Sequence, residues 1–187
     1  MYMKKTTSLL ACCFVFTFLF ITKSYGQALT SDDIKNEMVG EWERSKAYTI
    51  EYLNTMPADK YSFRAVDSIR SFAQQMLHLA QANVFLMSIA TGGQVSPWVT
   101  SNPENRASAH TKDSVMYYVL ASYDYCINAV KTSDINKWGE KVKVFGRFEE
   151  TRFAMLNKTL EHQAHHRGQT TVYIRLQGIK PPQEKLF

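Results

Sequence analysis

The chain has 187 residues, enough for one domain with a sizeable core. Its formal charge of +5 at pH 7 includes three lysines among the first 26 residues, which hold no acidic residue, so residues 27–187 carry only +2. This small charge argues against a nucleic-acid-binding function. Of the three cysteines only Cys126 lies within residues 27–187, so no disulfide can form inside that part of the chain.

The first 26 residues have the organisation of a secretory signal peptide. Lys4 and Lys5 precede an apolar stretch of about 13 residues, which is shorter than the roughly 20 residues that span a bilayer. Ser24 and Gly26 are small residues at positions −3 and −1 of a cleavage before Gln27. We therefore predict an exported protein, periplasmic or secreted, with no stable membrane insertion after cleavage. Retention of the segment as an N-terminal anchor is the alternative.

The first half of the remaining chain contains two segments with helical periodicity. The first helix is predicted from Thr30, an N-cap candidate with Asp33 three residues on, to Pro57. The second is predicted over about 68–91. The segment 92–110 that follows contains two prolines and two glycines, which predicts a long loop. Such a loop in a small domain is usually functional or a crossover between distant elements.

Two further helices are predicted in the second half, and almost nothing in the chain shows the alternation of a strand. The third helix spans about Thr111 to Lys131, and the fourth runs from near Gly146 to about Gln177, with Gly178 as its C-cap. Residues 27–187 are thus predicted as one all-α domain, a four-helix bundle with a long crossover between its second and third helices.

Three of the five histidines lie within five positions of the fourth predicted helix. Four residues turn an α-helix by about 400°, so His162 and His166 share one face. Two neutral imidazoles so placed can bind one divalent ion. Such a pair can equally be an idle surface pair. His165 lies about 100° away from that face, aligned with Glu161, and is predicted at a pocket rim or the surface.

His78 is the candidate third ligand. It falls in the middle of the second predicted helix, in a stripe with Phe72, Ala82, Phe85 and Ile89. An isolated imidazole in an apolar core is costly unless it is hydrogen-bonded, and a bonded core histidine is the alternative role. With His162 and His166 it completes a set of three ligands, which leaves a coordination position open, as in catalytic zinc sites.

Three stretches resemble one known family: "MPADKYSFRA", "SIRSFAQQMLHLAQAN" and "HHRGQTTVYIRLQGIKPP". They are similar to the DinB/YfiT-like family of candidate metalloenzymes, and the resemblance covers essentially all of residues 27–187. It implies a bundle in up-down-down-up order with one divalent metal ion held by three histidines. These histidines fall on His78, His162 and His166 of this chain.

Some members of the family that this chain resembles transfer low-molecular-weight thiols. An ion with an open position can hold a thiolate deprotonated or can lower the pKa of a bound water molecule. We therefore predict a metal-dependent transferase or hydrolase acting on a small molecule, with a thiol as one candidate substrate. The ion would be zinc, nickel or iron, because nitrogen donors suit all of these. No catalytic residue is identified. Gln163 stands where an HExxH motif has its glutamate, so the candidate bases are His165, Glu161 or a carboxylate from another helix. Trp98 in the long loop is a candidate pocket lid.

A non-catalytic metal-binding bundle, used for metal handling or partner binding and functioning alone or as a homodimer, is the alternative function. The identities of the metal, the substrate and the reaction do not follow from the sequence.

Overall fold

The computed structural model describes residues 28–187, so the predicted signal peptide lies outside the described residues. Four long helices make up most of this part of the chain: α1 Ser31–Thr55, α2 Phe72–Thr91, α4 Lys112–Thr132 and α5 Arg152–Leu176. A short helix, α3 Pro97–Thr100, lies in the crossover, and two strands, β1 Lys141–Val144 and β2 Phe148–Thr151, form an antiparallel hairpin before α5. Within residues 28–187 no helix is both long and apolar enough to cross a bilayer.

Contacts at both ends of the helices give their directions, beginning with α1 and α4. The Lys35 amine near the start of α1 donates to the carbonyl of Ser133, just after α4. At the other end, the Lys112 amine in the first turn of α4 donates to the carbonyl of Asn54 near the end of α1. The two helices are therefore antiparallel.

α2 and α5 are antiparallel as well. The Arg152 guanidinium at the start of α5 donates to the carbonyl of Ala90 near the end of α2, over 3.2 Å. The Tyr173 hydroxyl near the end of α5 donates to the carbonyl of Arg70, just before α2, over 2.7 Å.

Two side-chain contacts show that α1 and α5 run in the same direction. Gln163 donates to the Ser45 hydroxyl, and about two turns further along both helices the Tyr52 and Thr171 hydroxyls bond over 2.9 Å. The bundle is thus up-down-down-up, as the resemblance implied.

One apolar core joins the four long helices. Its largest members with no exposed surface are Trp42, Leu53, Met56, Phe72, Met76, Leu77, Leu79, Met87 and Leu156, together with Ile174 and Tyr123. Burying one side chain of this size contributes about 1.5–3 kcal/mol. Cys126 is buried in the same core, and burial raises the pKa of its thiol well above the ordinary value.

Helix starts show which predicted boundaries were right. Thr30 caps α1 in a reciprocal pair with Asp33, and Thr111 caps α4, as predicted. The predicted start of the second helix near Ser68 is wrong. Ser71 and Gln74 form the capping box there, so α2 begins at Phe72.

The predicted start of the fourth helix near Gly146 is also wrong. Phe145 and Gly146 have φ of 52° and 72° and turn the chain into a hairpin, so α5 begins only after Thr151, its N-cap. The alternation Lys-Val-Lys-Val of β1 was the overlooked strand signal. By contrast, Gly178 has a φ of 72° just after α5, as a glycine at a helix C-terminus commonly has.

Candidate metal centre

α2 and α5 bring three histidines together. One ring nitrogen from each of His78, His162 and His166 lies within 4.8 Å of the other two. The ring centroids are 4.4 Å apart for His162 and His166, 4.5 Å for His78 and His166, and 5.5 Å for His78 and His162. These three residues are called the histidine cluster below.

The spacing of two nitrogens fits a shared ion. The Nε2 atoms of His162 and His166 are 3.2 Å apart. Two ligands of a tetrahedral ion with bonds of about 2.0–2.1 Å lie about 3.3–3.4 Å from each other. Moreover, the buried Nδ1 of His162 has no hydrogen-bond partner among the described residues, so its ring is not held there by a competing polar contact.

The surroundings keep two of the rings neutral. Burial, and after it the neighbouring His78, His165 and Arg70, lower the pKa of His162 to about 4. Burial and the neighbouring His162 and His78 lower the pKa of His166 to about 3. Both rings therefore have a free nitrogen lone pair at neutral pH, and a histidine binds a metal ion only in this neutral form.

An amide orients the ring of His166. Its Nδ1 lies 3.2 Å from the side-chain oxygen of Gln75, which can accept a hydrogen bond from that nitrogen. Gln75 in turn donates to the side-chain oxygen of Gln169. With the proton on Nδ1, the Nε2 lone pair points toward His162, as outer partners of metal-binding histidines commonly arrange.

The carboxylate of Glu104 orients the ring of His78. Glu104 lies in a single helical turn, Pro103–Asn105, of the crossover between α2 and α4. Its Oε2 is 2.9 Å from the Nδ1 of His78, and its Oε1 accepts from the Nε of Arg70 over 2.6 Å. Burial acts to raise the pKa of Glu104, but the hydrogen bonds from His78 and Arg70 outweigh burial, and the net pKa is lowered.

Sequence reasoning missed Glu104. The carboxylates predicted as candidate bases were Glu161 and those of the other helices, whereas Glu104 lies in a loop, whose position helical periodicity does not predict. Glu161 and His165 are both exposed and outside the histidine cluster. His165 instead bonds to Gln169 over 2.8 Å.

His78 belongs to the histidine cluster, but the prediction that it lies in an apolar core stripe is wrong. His78 is not in an apolar core stripe, because its side chain is 27% exposed and Phe85 is 39% exposed. The buried face of α2 is broader than the predicted stripe and includes Met76, Leu79, Ala80, Asn83 and Met87 as well as Phe72. His78 lies at the edge of that face, where it can reach α5.

Other features lie apart from the cluster. Trp98 packs on the ring of Tyr118 with centroids 5.1 Å apart, and its role as a lid stays a prediction. A groove of about 850 Å³ between the N-terminal halves of α1 and α5 holds none of the three histidines; its lining includes Leu29, Ile34, Met38, Phe153 and Leu160.

Comparisons with known proteins agree with the resemblance. The model of the DinB family matches residues 27–186. The uncharacterized protein YjoA of Bacillus subtilis (strain 168) is 21% identical over 149 residues, which are 76% of this chain and 90% of that protein.

Two crystal structures share the fold. A DinB-like protein from Bacillus cereus ATCC 10987 is similar with a TM-score of 0.66 and 17% identity, covering 80% of this chain and 97% of that chain. The DinB-like protein YjoA of B. subtilis is similar with a TM-score of 0.61 and 20% identity, covering 81% and 96%.

Proposed function

The chain belongs to the DinB family, and we propose that it binds one divalent metal ion through His78, His162 and His166. The observation that carries the proposal is the convergence of three ring nitrogens within 4.8 Å. The 3.2 Å between two of them is close to the ligand spacing of a tetrahedral ion. The nitrogen donors fit zinc, nickel or iron.

Outer contacts support the same proposal. Two of the three rings have a partner on Nδ1, namely Glu104 for His78 and Gln75 for His166. Each partner can hold the proton on Nδ1 and leave Nε2 for the ion. Metal-binding histidines generally have such partners, and their loss typically costs 10- to 100-fold in affinity or activity.

We propose further that the loaded protein is a transferase or hydrolase acting on a small molecule, with thiols as the first class to test. With three protein ligands, the ion would keep one position for a thiolate or a water molecule and favour its deprotonated form. His78 is partly exposed, which would give a ligand access from outside the bundle. Glu104 is engaged by both Arg70 and His78, so it is not a free base.

One observation favours the alternative, a non-catalytic metal-binding bundle. The 850 Å³ groove between α1 and α5 lies away from the histidine cluster. In that case the ion would serve metal handling or partner binding rather than a reaction.

Elemental analysis of protein purified from its native host would identify the ion. The same protein, metal-loaded and metal-free, can then be screened for thiol transfer and for ester hydrolysis. A turnover that appears only with the ion, and that His162→Ala abolishes, would support the enzyme. Bound metal without any such turnover would support the alternative.

A further inference from the structure

We infer that Glu104 is a positioning residue that keeps the proton of His78 on Nδ1, and that in Glu104→Gln, which has one acceptor oxygen instead of two, Arg70 would hydrogen-bond that oxygen and the proton would move to Nε2. The inference rests on the proposed function, because it concerns His78 as a ligand of the ion. It makes the crossover loop between α2 and α4 a part of the metal centre.

The Nδ1 atom of His78 faces two groups of opposite character. Glu104 Oε2 lies 2.9 Å away, and Arg70 Nη2 lies 3.2 Å away. An ionised carboxylate only accepts hydrogen bonds, and a guanidinium only donates them. One ring nitrogen cannot serve both, so the choice between them decides which nitrogen carries the proton and which offers a lone pair to an ion.

The contacts favour Glu104 as the partner of Nδ1. Its distance is the shorter one, 2.9 Å against 3.2 Å for Arg70 Nη2. Arg70 already has an acceptor, because its Nε donates to the second carboxylate oxygen over 2.6 Å. With two oxygens, Glu104 satisfies His78 and Arg70 together.

The crossover loop holds Glu104 in place through its backbone. The backbone N–H of Glu104 donates to the side-chain oxygen of Gln81 over 3.1 Å, and its carbonyl accepts from the Nε2 of His110 over 2.8 Å. The two residues before Glu104 also restrain the loop, because Asn102 has a φ of 46° and Pro103 is buried. The carboxylate is therefore fixed from the loop and from α2.

Replacement of Glu104 by glutamine leaves one oxygen for two donors. Arg70 cannot give up a proton, whereas a neutral histidine can change its tautomer. The single oxygen would therefore go to Arg70, and the amide nitrogen would face His78 as a donor. His78 would then accept at Nδ1 and carry its proton on Nε2, the nitrogen that the ion needs.

This reasoning predicts a rescue by a second substitution. In Arg70→Met/Glu104→Gln the amide oxygen has only one donor left, which is His78, and the proton returns to Nδ1. The backbone carbonyl of Arg70 that accepts from Tyr173 is kept in both variants. A purely structural role for Glu104 would make the double variant worse than the single one.

The test combines two measurements on the full chain. Nitrogen-15 NMR of the imidazoles in the metal-free protein reports the tautomer, which should be Nδ1–H in the wild type and in the double variant, and Nε2–H in Glu104→Gln. Competition with a chromogenic chelator gives the zinc affinity. This affinity should fall 10- to 100-fold in Glu104→Gln. In the double variant at least half of that loss, on a logarithmic scale, should be recovered.

Glu43→Gln is the matched control, because Glu43 lies on α1 in an exposed ion pair with Lys131 of α4. It makes the same chemical change and should leave zinc affinity unchanged. Wild-type protein in which His78 carries its proton on Nε2 would overturn the inference, whether or not the variants fold. An unchanged affinity in Glu104→Gln, or no recovery in the double variant, would also overturn it while the metal site stood. Absence of zinc binding by the wild type would instead overturn the proposed function, and the NMR measurement would still decide the tautomer.

Discussion

Removal of the ion should lower the melting temperature of the bundle without unfolding it at room temperature. The histidine cluster is held between α2 and α5 by contacts that need no ion. Tyr173 bonds to the carbonyl of Arg70 at one end, and Arg152 bonds to the carbonyl of Ala90 at the other. Phe72, Met76 and Leu79, on the same helix as His78, are fully buried in the core.

Because none of these contacts involves the ion, we expect the ion to add only mass-action stabilisation. That amounts to about 2.7 kcal/mol at a free concentration one hundred times the dissociation constant. A domain of this size shifts by about 2–4 °C for each kcal/mol, so chelation should lower the melting midpoint by about 5–10 °C.

Circular dichroism with and without a chelator measures both quantities. The helical signal at 25 °C should stay nearly unchanged, and only the midpoint should move. His162→Ala is the control, since a chelator should not change its melting curve. Loss of the helical signal at 25 °C on chelation would refute the reasoning, because the ion would then be structural, as in a zinc finger.

Three more predictions follow from single features. Protein isolated from cells should begin near Gln27, and soluble protein with intact Met1 would contradict export. Cys126 is buried with a raised pKa, so a thiol reagent should modify it only after denaturation; rapid modification of the native protein would contradict its place in the core. The pKa of His162 is lowered to about 4 and that of His166 to about 3 in the folded chain. In the unfolded chain both pKa values are near 6.5, so below pH 6.5 the unfolded chain binds more protons than the folded one. Stability of the metal-free protein, measured by urea unfolding, should therefore fall between pH 6.5 and pH 4, and less steeply in His162→Gln; equal slopes would show that His162 does not contribute.

Local signals in the sequence were enough for the parts of the fold that depend on neighbouring residues. Thr30 and Asp33 form a capping box by themselves, and Gly178 takes the left-handed conformation that ends α5. The pair His162 and His166 lies on one helix, so helical geometry alone predicts their approach.

Features that depend on distant contacts could not be predicted in this way. Ser68 and Ser71 are both N-cap residue types, and the choice of Ser71 depends on Gln74 and on burial of the next residue, Phe72. The position of His78 depends on how α2 is rotated against α5. Glu104 reaches the cluster only through the path of a loop held by Gln81 and His110.

Metal content per chain tests the proposed site most directly. Wild-type protein, saturated with zinc and passed through a desalting column, should retain one ion per chain, and so should His165→Ala. His162→Ala should retain none, because it removes one of the two nitrogens that lie 3.2 Å apart. Equal retention by His162→Ala and wild type, or equal loss in His162→Ala and His165→Ala, would contradict the assignment of the ligands to this face of α5.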